Sequence, residues 1–422
     1  MIFTSNDITL FKKKALQWAS SFEVCCYLDS NSFADKYSKF DALIAAGVKR
    51  ELTAKVGNAF DQLQQFHKTN AQEWRAGFLT YDLKNELENL QSDNLDGLDF
   101  PEAYFFVPQH LIRIHGSEIE ILSDKTEEIF DTINNYQLQA EEPTTPVDIK
   151  SRLTKPDYLQ KVNLVKEHIS RGDIYVTNFC QEFYADNVVI DPIKVFDDLN
   201  QLSPNPFACF FKYYDHYAIC ASPERFLAKR DNKLISQPIK GTAPRGLDAT
   251  DDAVMKQQLT NNTKEQQENV MVVDMVRNDL TPCAKRGTVQ VEELFGLYTF
   301  EHLHQMISTV TCDIDENVSA IEAIKAAYPM GSMTGAPKVN AMQLMESFEV
   351  SKRGIYSGSI GYFSPDGDFD FNVVIRTLLY NASKKYLSFH TGSAITHSAD
   401  AEAEYQECLL KIGAIRRVLR AR

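Results

Sequence analysis

The chain has 422 residues, of which 44% are hydrophobic and 24% charged, enough for two or three average domains or one large enzyme fold. Its net charge of −14 argues against nucleic acid as a main partner, because phosphate binding needs a basic face. There is no run of about 18 apolar residues for a membrane span, no basic-then-apolar leader, and no CxxC among the eight cysteines for zinc or redox work.

In chain order, residues 10–22 and 54–66 have apolar spacing close to 3.6 and predict amphipathic helices. Residues 103–121 alternate in pieces, bounded by Pro101, Pro108 and Gly116, and predict hairpin strands. Residues 139–156, rich in proline and polar side chains and ending in Lys155-Pro156, predict a linker. It separates an N-terminal region (1–145) from a second region (150–422). A helix is expected over 157–171, stopped by Gly172, then strands over 174–183, 207–214, 216–221 and 226–230. Strands beside strands, with helices in separate blocks, predict an α+β fold of antiparallel sheets with flanking helices. The cysteines sit in apolar runs and read as reduced, buried thiols in a cytoplasmic protein.

Six stretches carry candidate chemistry. Lys240, between Ile239 and Gly241 on a turn, reads as a surface lysine or as an amine held against a substrate. Glu224 follows an apolar strand, where it is either a turn residue or a buried acid. Glu265-x-x-Glu268 and Glu404-x-x-Glu407 each put two carboxylates on one helical face. Spacing alone favours two solvated acidic faces; brought together, they would make an oxygen-only site suited to Mg²⁺. Lys411 would then hold a substrate carboxylate, or simply pair with Glu407 four residues earlier. The Gly331–Lys338 turn feeds a helix and reads as a connector or as backbone N–H groups aimed at a carboxylate. His304, among apolar residues, reads by itself as a satisfied core histidine.

Read together, SPERF (222–226), PIKGT-x-PRG (238–246), EN-x-M-x-VD-x-x-RND (268–279), GS-x-TGAPK (331–338), YSGSIGYF (356–363), IRT (375–377) and EAEYQE (402–407) stand in one order. In this the chain resembles the chorismate-utilising enzyme family, with the match covering residues 150–422 almost continuously. The resemblance implies two antiparallel sheets packed as a sandwich, helices outside, and the active site in the cleft between the sheets. The lysine of PIKGT resembles the aminodeoxychorismate synthase branch, where anthranilate synthase carries alanine. Carried over, Lys240 is the nucleophile, Glu224 the acid/base at the C4 hydroxyl, and His304 (or, in another alignment, His302) the histidine under the ring. Glu268 and Glu407 are direct Mg²⁺ ligands, with Glu265 and Glu404 beside them. Arg376, Tyr356, Lys411, Thr242, Ser332, Thr334, Gly335 and Gly392 hold the substrate.

The implied substrates are chorismate and ammonia. The chain has no GxCxGxQ-like turn, so a separate glutamine amidotransferase subunit is the expected ammonia source. Two departures stand out. Val176 occupies the position from which related synthases activate water with lysine, so water activation is not implied. Thr391-Gly392-Ser393-Ala394 replaces the family's glycine-rich strand. Residues 27–30 lie where some relatives keep an amino-acid pocket.

Overall fold

The computed structural model describes residues 1–138, 146–301 and 303–420. Its main strands are, in chain order, β1 (Val24–Asp29), β2 (Ala42–Ala54), β3 (Arg75–Leu79), β4 (Ala103–His115), β5 (Val176–Ala185), β6 (Phe207–Tyr213), β7 (His216–Ser222), β8 (Arg225–Arg230), β9 (Lys233–Gln237), β10 (Ile239–Pro244), β11 (Gln290–Thr299), β12 (Leu303–Asp313), β13 (Ser359–Phe363), β14 (Phe369–Asn372), β15 (Thr377–Asn381) and β16 (Tyr386–Ile395). All their pairings are antiparallel.

Two sheets share β4. One runs β4-β2-β1-β6-β7-β15-β16-β5. The other runs β4-β3-β13-β14-β8-β9-β12, with β10 and β11 also on β12. The sheets face each other across a buried core in which aromatic rings interlock. Phe78 of β3 meets Phe211 of β6 edge-to-face at 5.3 Å, and Phe105 meets Phe371 at 6.1 Å. The other face of the first sheet is covered by helices at Ile8–Ser20, Thr126–Asn134, Pro192–Leu202 and Gly413–Val418. The expected α+β architecture of packed antiparallel sheets with outer helices is present.

Local differences have local causes. The second predicted helix begins at Ala59 rather than at residue 54, because β2 runs on through Ala54 and Gly57 breaks the chain before it. The predicted linker lies in part, at residues 139–145, outside the described residues. Its last two residues are helical: helix α1 (Lys155–Arg171) starts there because Thr154 and Asp157 form a reciprocal cap, and proline is tolerated in a first turn. Gly172, at φ 86°, ends that helix as expected. All eight cysteines are buried free thiols. Among the described residues no helix is long and apolar enough to cross a membrane.

Four further helices frame the site: α2 (Ala249–Thr260), α3 (Thr263–Leu280), α4 (Lys338–Phe348) and α5 (Ala401–Lys411). Arg353 braces the walls between them. Its guanidinium, 2% exposed, donates to both oxygens of Glu349 at 2.6 and 2.9 Å and to the carbonyls of Met333 (2.7 Å) and Asn178 (2.9 Å). Removing one partner of a buried pair strands the other charge, so Arg353→Met is expected to cost about 3–5 kcal/mol. Denaturant unfolding checks this, and an unchanged midpoint would remove the brace.

Candidate active site

Lys240 lies on β10, where the pairing to β12 slips: Ile239 faces Ile307, yet Thr242 faces Gln305. The extra residue makes a bulge at Lys240-Gly241, and bulges re-aim side chains. Gly241 has φ 96°, and a Cβ there would come within 3.2 Å of both Leu259 and Met306, so the bend needs glycine. Lys240 thereby reaches a cavity that Glu268 of α3 and Ser332, Thr334 and Gly335 also line, with Val176, Asn178 and Ala394 as its opposite wall. The turn carrying Ser332 is tied to β5 by the Asn178 N–H donating to the Thr334 carbonyl at 2.7 Å.

Glu224 sits just past β7, 5% exposed, in an adjoining cavity that shares Gly331 and Ser332. Burial pushes its carboxyl up to about 7, while a hydrogen bond from Ser332 and the charges of Lys240 and Arg376 pull it back. An acid with that value is protonated below about pH 7 and loses its proton above. If it protonates a leaving hydroxyl, kcat falls as pH rises through about 7. Glu224→Gln is then expected to lower kcat by about 10²–10⁴ and to abolish this alkaline limb. A pH–rate profile checks it, and a limb that persists in the variant belongs to another group.

The two acidic helix faces come together. The Lys264 ammonium lies 3.8 Å from a Glu268 oxygen and 3.8 Å from a Glu404 oxygen, linking α3 to α5. Burial, and then the neighbouring Glu268, raise Glu265; burial, and then Glu407, raise Glu404. Burial also acts to raise Glu407, but the Lys411 ammonium 2.7 Å away outweighs it and holds Glu407 low. Among the described residues no three carboxylate, histidine or cysteine side chains are close enough, as placed, to hold a metal. The donor set nonetheless fits a hard divalent cation: it is all oxygen, and the space between the faces already takes the positive charge of Lys264.

On the far side, Lys411 donates to the Gly392 carbonyl at 2.9 Å. Gly392 leaves no room for a side chain, since a Cβ would lie 2.7 Å from Cys180 Sγ. Tyr356 is buried and stacks on His390, with ring centroids 5.3 Å apart. Arg376, at φ 52°, acts electrostatically on Glu224.

Two predicted residues stand apart from this group. His304 is fully buried, with Nε2 2.9 Å from Asp252 Oδ1 and Nδ1 3.1 Å from Thr299 Oγ1. Asp252 is held in turn by Arg245 at 2.7 Å. Thr242 is exposed on β10, and neither residue lines the Lys240 cavity. His302 lies outside the described residues. Sequence reasoning overlooked Arg353 and Lys264; Lys264 had a signal, standing next to Glu265 and four residues before Glu268. Elsewhere, Leu28, Asp29 and Ser30 line a cavity with Lys39, Arg225 and Asp370.

The sheets and helices thus bring a lysine, a buried carboxyl and two acidic helix faces to one region of the molecule. The family model described as chorismate binding enzyme matches residues 23–417, and the chain belongs to that family. It is 29% identical over 363 residues to aminodeoxychorismate synthase component 1 of Bacillus subtilis, covering 81% of this chain and 76% of that protein. It is 30% identical over 364 residues to anthranilate synthase component 1 of Cereibacter sphaeroides (81% and 72%). With aminodeoxychorismate synthase component 1 of Escherichia coli it shares 37% over 275 residues, 65% of this chain and 60% of that protein. In fold it is similar to anthranilate synthase component I from Streptococcus pneumoniae, with a TM-score of 0.78, 23% identity, and 92% and 94% of the two chains covered.

Proposed function

We propose that the chain aminates chorismate at C4, giving 4-amino-4-deoxychorismate for p-aminobenzoate and folate synthesis. The observation that carries this reading is Lys240, turned by the bulge into the same cavity system as the buried Glu224. The free amine of Lys240 adds at C2 while Glu224 gives its proton to the departing C4 hydroxyl, which leaves as water. The ring double bonds shift one place to accommodate both changes. Ammonia then adds at C4, the double bonds shift back, and Lys240 leaves C2 as the neutral amine. The new C4 ammonium returns a proton to Glu224. Two displacements replace one difficult one, and the enolpyruvyl group is kept.

Glu268 and Glu407, with Glu265 and Glu404 beside them, would hold Mg²⁺, which when bound neutralises the ring carboxylate in an otherwise acidic protein. Arg376, Tyr356, Lys411 and the backbone from Ser332 to Gly335 orient the substrate. His304, fully buried with both ring nitrogens engaged by Asp252 and Thr299, is a positioning residue that ties α2 to β12. A separate glutamine amidotransferase supplies ammonia, a reading supported by the words "component 1" in the names of the relatives.

The competing reading, C2 amination with loss of pyruvate, is supported by the anthranilate synthase relative. It requires C2 to be open to ammonia, whereas a lysine at position 240 occupies that carbon. Chorismate, Mg²⁺ and ammonium incubated with the purified chain distinguish the two. A product that retains the enolpyruvyl group by mass, and that a lyase converts to p-aminobenzoate, is expected. Fluorescent anthranilate would overturn the C4 assignment.

A further inference from the structure

Behind the Tyr356 ring lies a second pocket that the proposed mechanism does not use. Its wall carries Asp82, Asp96, Glu102 and Glu182 against a single lysine, Lys352. Glu182 is answered by Arg152 at 2.9 Å, and Asp82 accepts the Gly354 N–H at 2.9 Å. Asp96 accepts two backbone N–H groups, of Leu98 and Asp99, each at 3.0 Å. The half-buried carboxylate of Glu102 has no ion-pair partner among the described residues.

Two other side chains of this wall carry buried polar atoms without a partner: Nδ1 of His390, 3% exposed, and Oγ1 of Thr80, 2% exposed. The other His390 nitrogen is 3.2 Å from Ser351 Oγ, and in the tautomer that donates to this hydroxyl Nδ1 is an open acceptor. The carboxylates, the hydroxyl oxygen and, in that tautomer, the imidazole nitrogen all accept hydrogen bonds, so the wall suits a guest that brings N–H donors and positive charge.

One face of the β5–β16 ladder runs from this pocket to the Lys240 cavity. His390 pairs with Glu182, Gly392 with Cys180, and Ala394 with Asn178. Residues two apart on a strand share a face, so these three pairs form one row. Its first pair lines the acidic pocket and its last lines the Lys240 cavity, about 13 Å away along the strand. Between them, Asn178 Nδ2 is 3.4 Å from Cys180 Sγ, and Tyr356 stacks on His390.

We infer that this acidic pocket binds ammonium, holding the nitrogen source at one end of a row of residues that leads to Lys240. The inference rests on the amination reading. Glu102→Gln, a change outside the catalytic group, is expected to raise KM for ammonium about 10-fold while leaving KM for chorismate and kcat unchanged, a pattern that a folding defect would not produce. Ammonium chloride is expected to raise Tm above the value in sodium chloride of equal ionic strength, and Glu102→Gln to erase that difference. Methylammonium should compete with ammonium in the wild type. An unchanged ammonium KM together with no ammonium-specific Tm shift would mean that the pocket holds water only, overturning the inference. A wild type that gives no aminated product, yet shows the Tm shift and its loss in the variant, would overturn the amination reading and leave the site standing.

Discussion

Lys240→Ala is expected to reduce the rate of chorismate amination by at least about 10³-fold while leaving chorismate binding within a few-fold of wild type. The proposed first displacement needs a nucleophile at C2, and among the described residues no other lysine lines the cavity that Lys240 enters. Binding is spared because the groups proposed to hold the carboxylates, Arg376, Lys411 and the Ser332–Gly335 backbone, are untouched. The fold is spared too: the bend belongs to Gly241, and the Lys240 carbonyl, which accepts from Asn269 at 3.4 Å, is kept in the variant. Rapid-quench product analysis, with chorismate binding followed by calorimetry, separates the two effects. Mass spectrometry of the wild type quenched early should also show the chain with a covalently added substrate fragment on Lys240. In the alanine variant, C2 is open to ammonia, so traces of anthranilate are expected in its place. Wild-type rates in Lys240→Ala would sink the covalent role.

How much of this was legible beforehand depended on the range of the interaction involved. Helix α1 announced itself through its apolar period and Gly172, because helix signals are local. Its first turn was misjudged because Pro156 was read as a breaker, whereas the Thr154–Asp157 cap places it where proline is harmless. The sharing of β4 by two sheets has no local signature, since it depends on which edges β4 meets, on β2 and on β3, tens of residues earlier in the chain. At the site, the ExxE pairs and the PIKGT turn were visible as residue types. The Lys264 contact between α3 and α5 was not, because its two partners are separated by more than a hundred residues in the chain. The position of His304 shows the same limit. An isolated histidine in an apolar run gave no hint that Asp252, brought in by α2, would engage one of its nitrogens and Thr299 the other. The acidic pocket behind Tyr356 draws on residues from Thr80 to His390, and no motif spans them.

Glu407→Gln tests the joint between the acidic faces and the substrate. Glutamine keeps the shape and one acceptor oxygen but removes the charge. Two consequences follow from the geometry. Mg²⁺ loses one of the carboxylates proposed to hold it, and its apparent affinity is expected to fall by at least about 10–100-fold. The Lys411 ammonium, no longer neutralised at 2.7 Å, remains anchored to the Gly392 carbonyl and carries its full charge toward the substrate. KM for chorismate should therefore rise in step with the loss of Mg²⁺ at limiting metal, and recover in part at saturating metal because Lys411 is still in place. A purely structural role would instead lower Tm while leaving the Mg²⁺ titration alone, so calorimetric Mg²⁺ binding to the substrate-free chain is the decisive readout. Lys264→Gln is the companion variant. Removing the ammonium that lies 3.8 Å from Glu268 and Glu404 should tighten Mg²⁺ binding, because the faces then repel each other with no resident cation between them. Normal Mg²⁺ binding in Glu407→Gln would take Glu407 out of the metal site. Weaker Mg²⁺ binding in Lys264→Gln would mean that the lysine supports the site and does not compete for it.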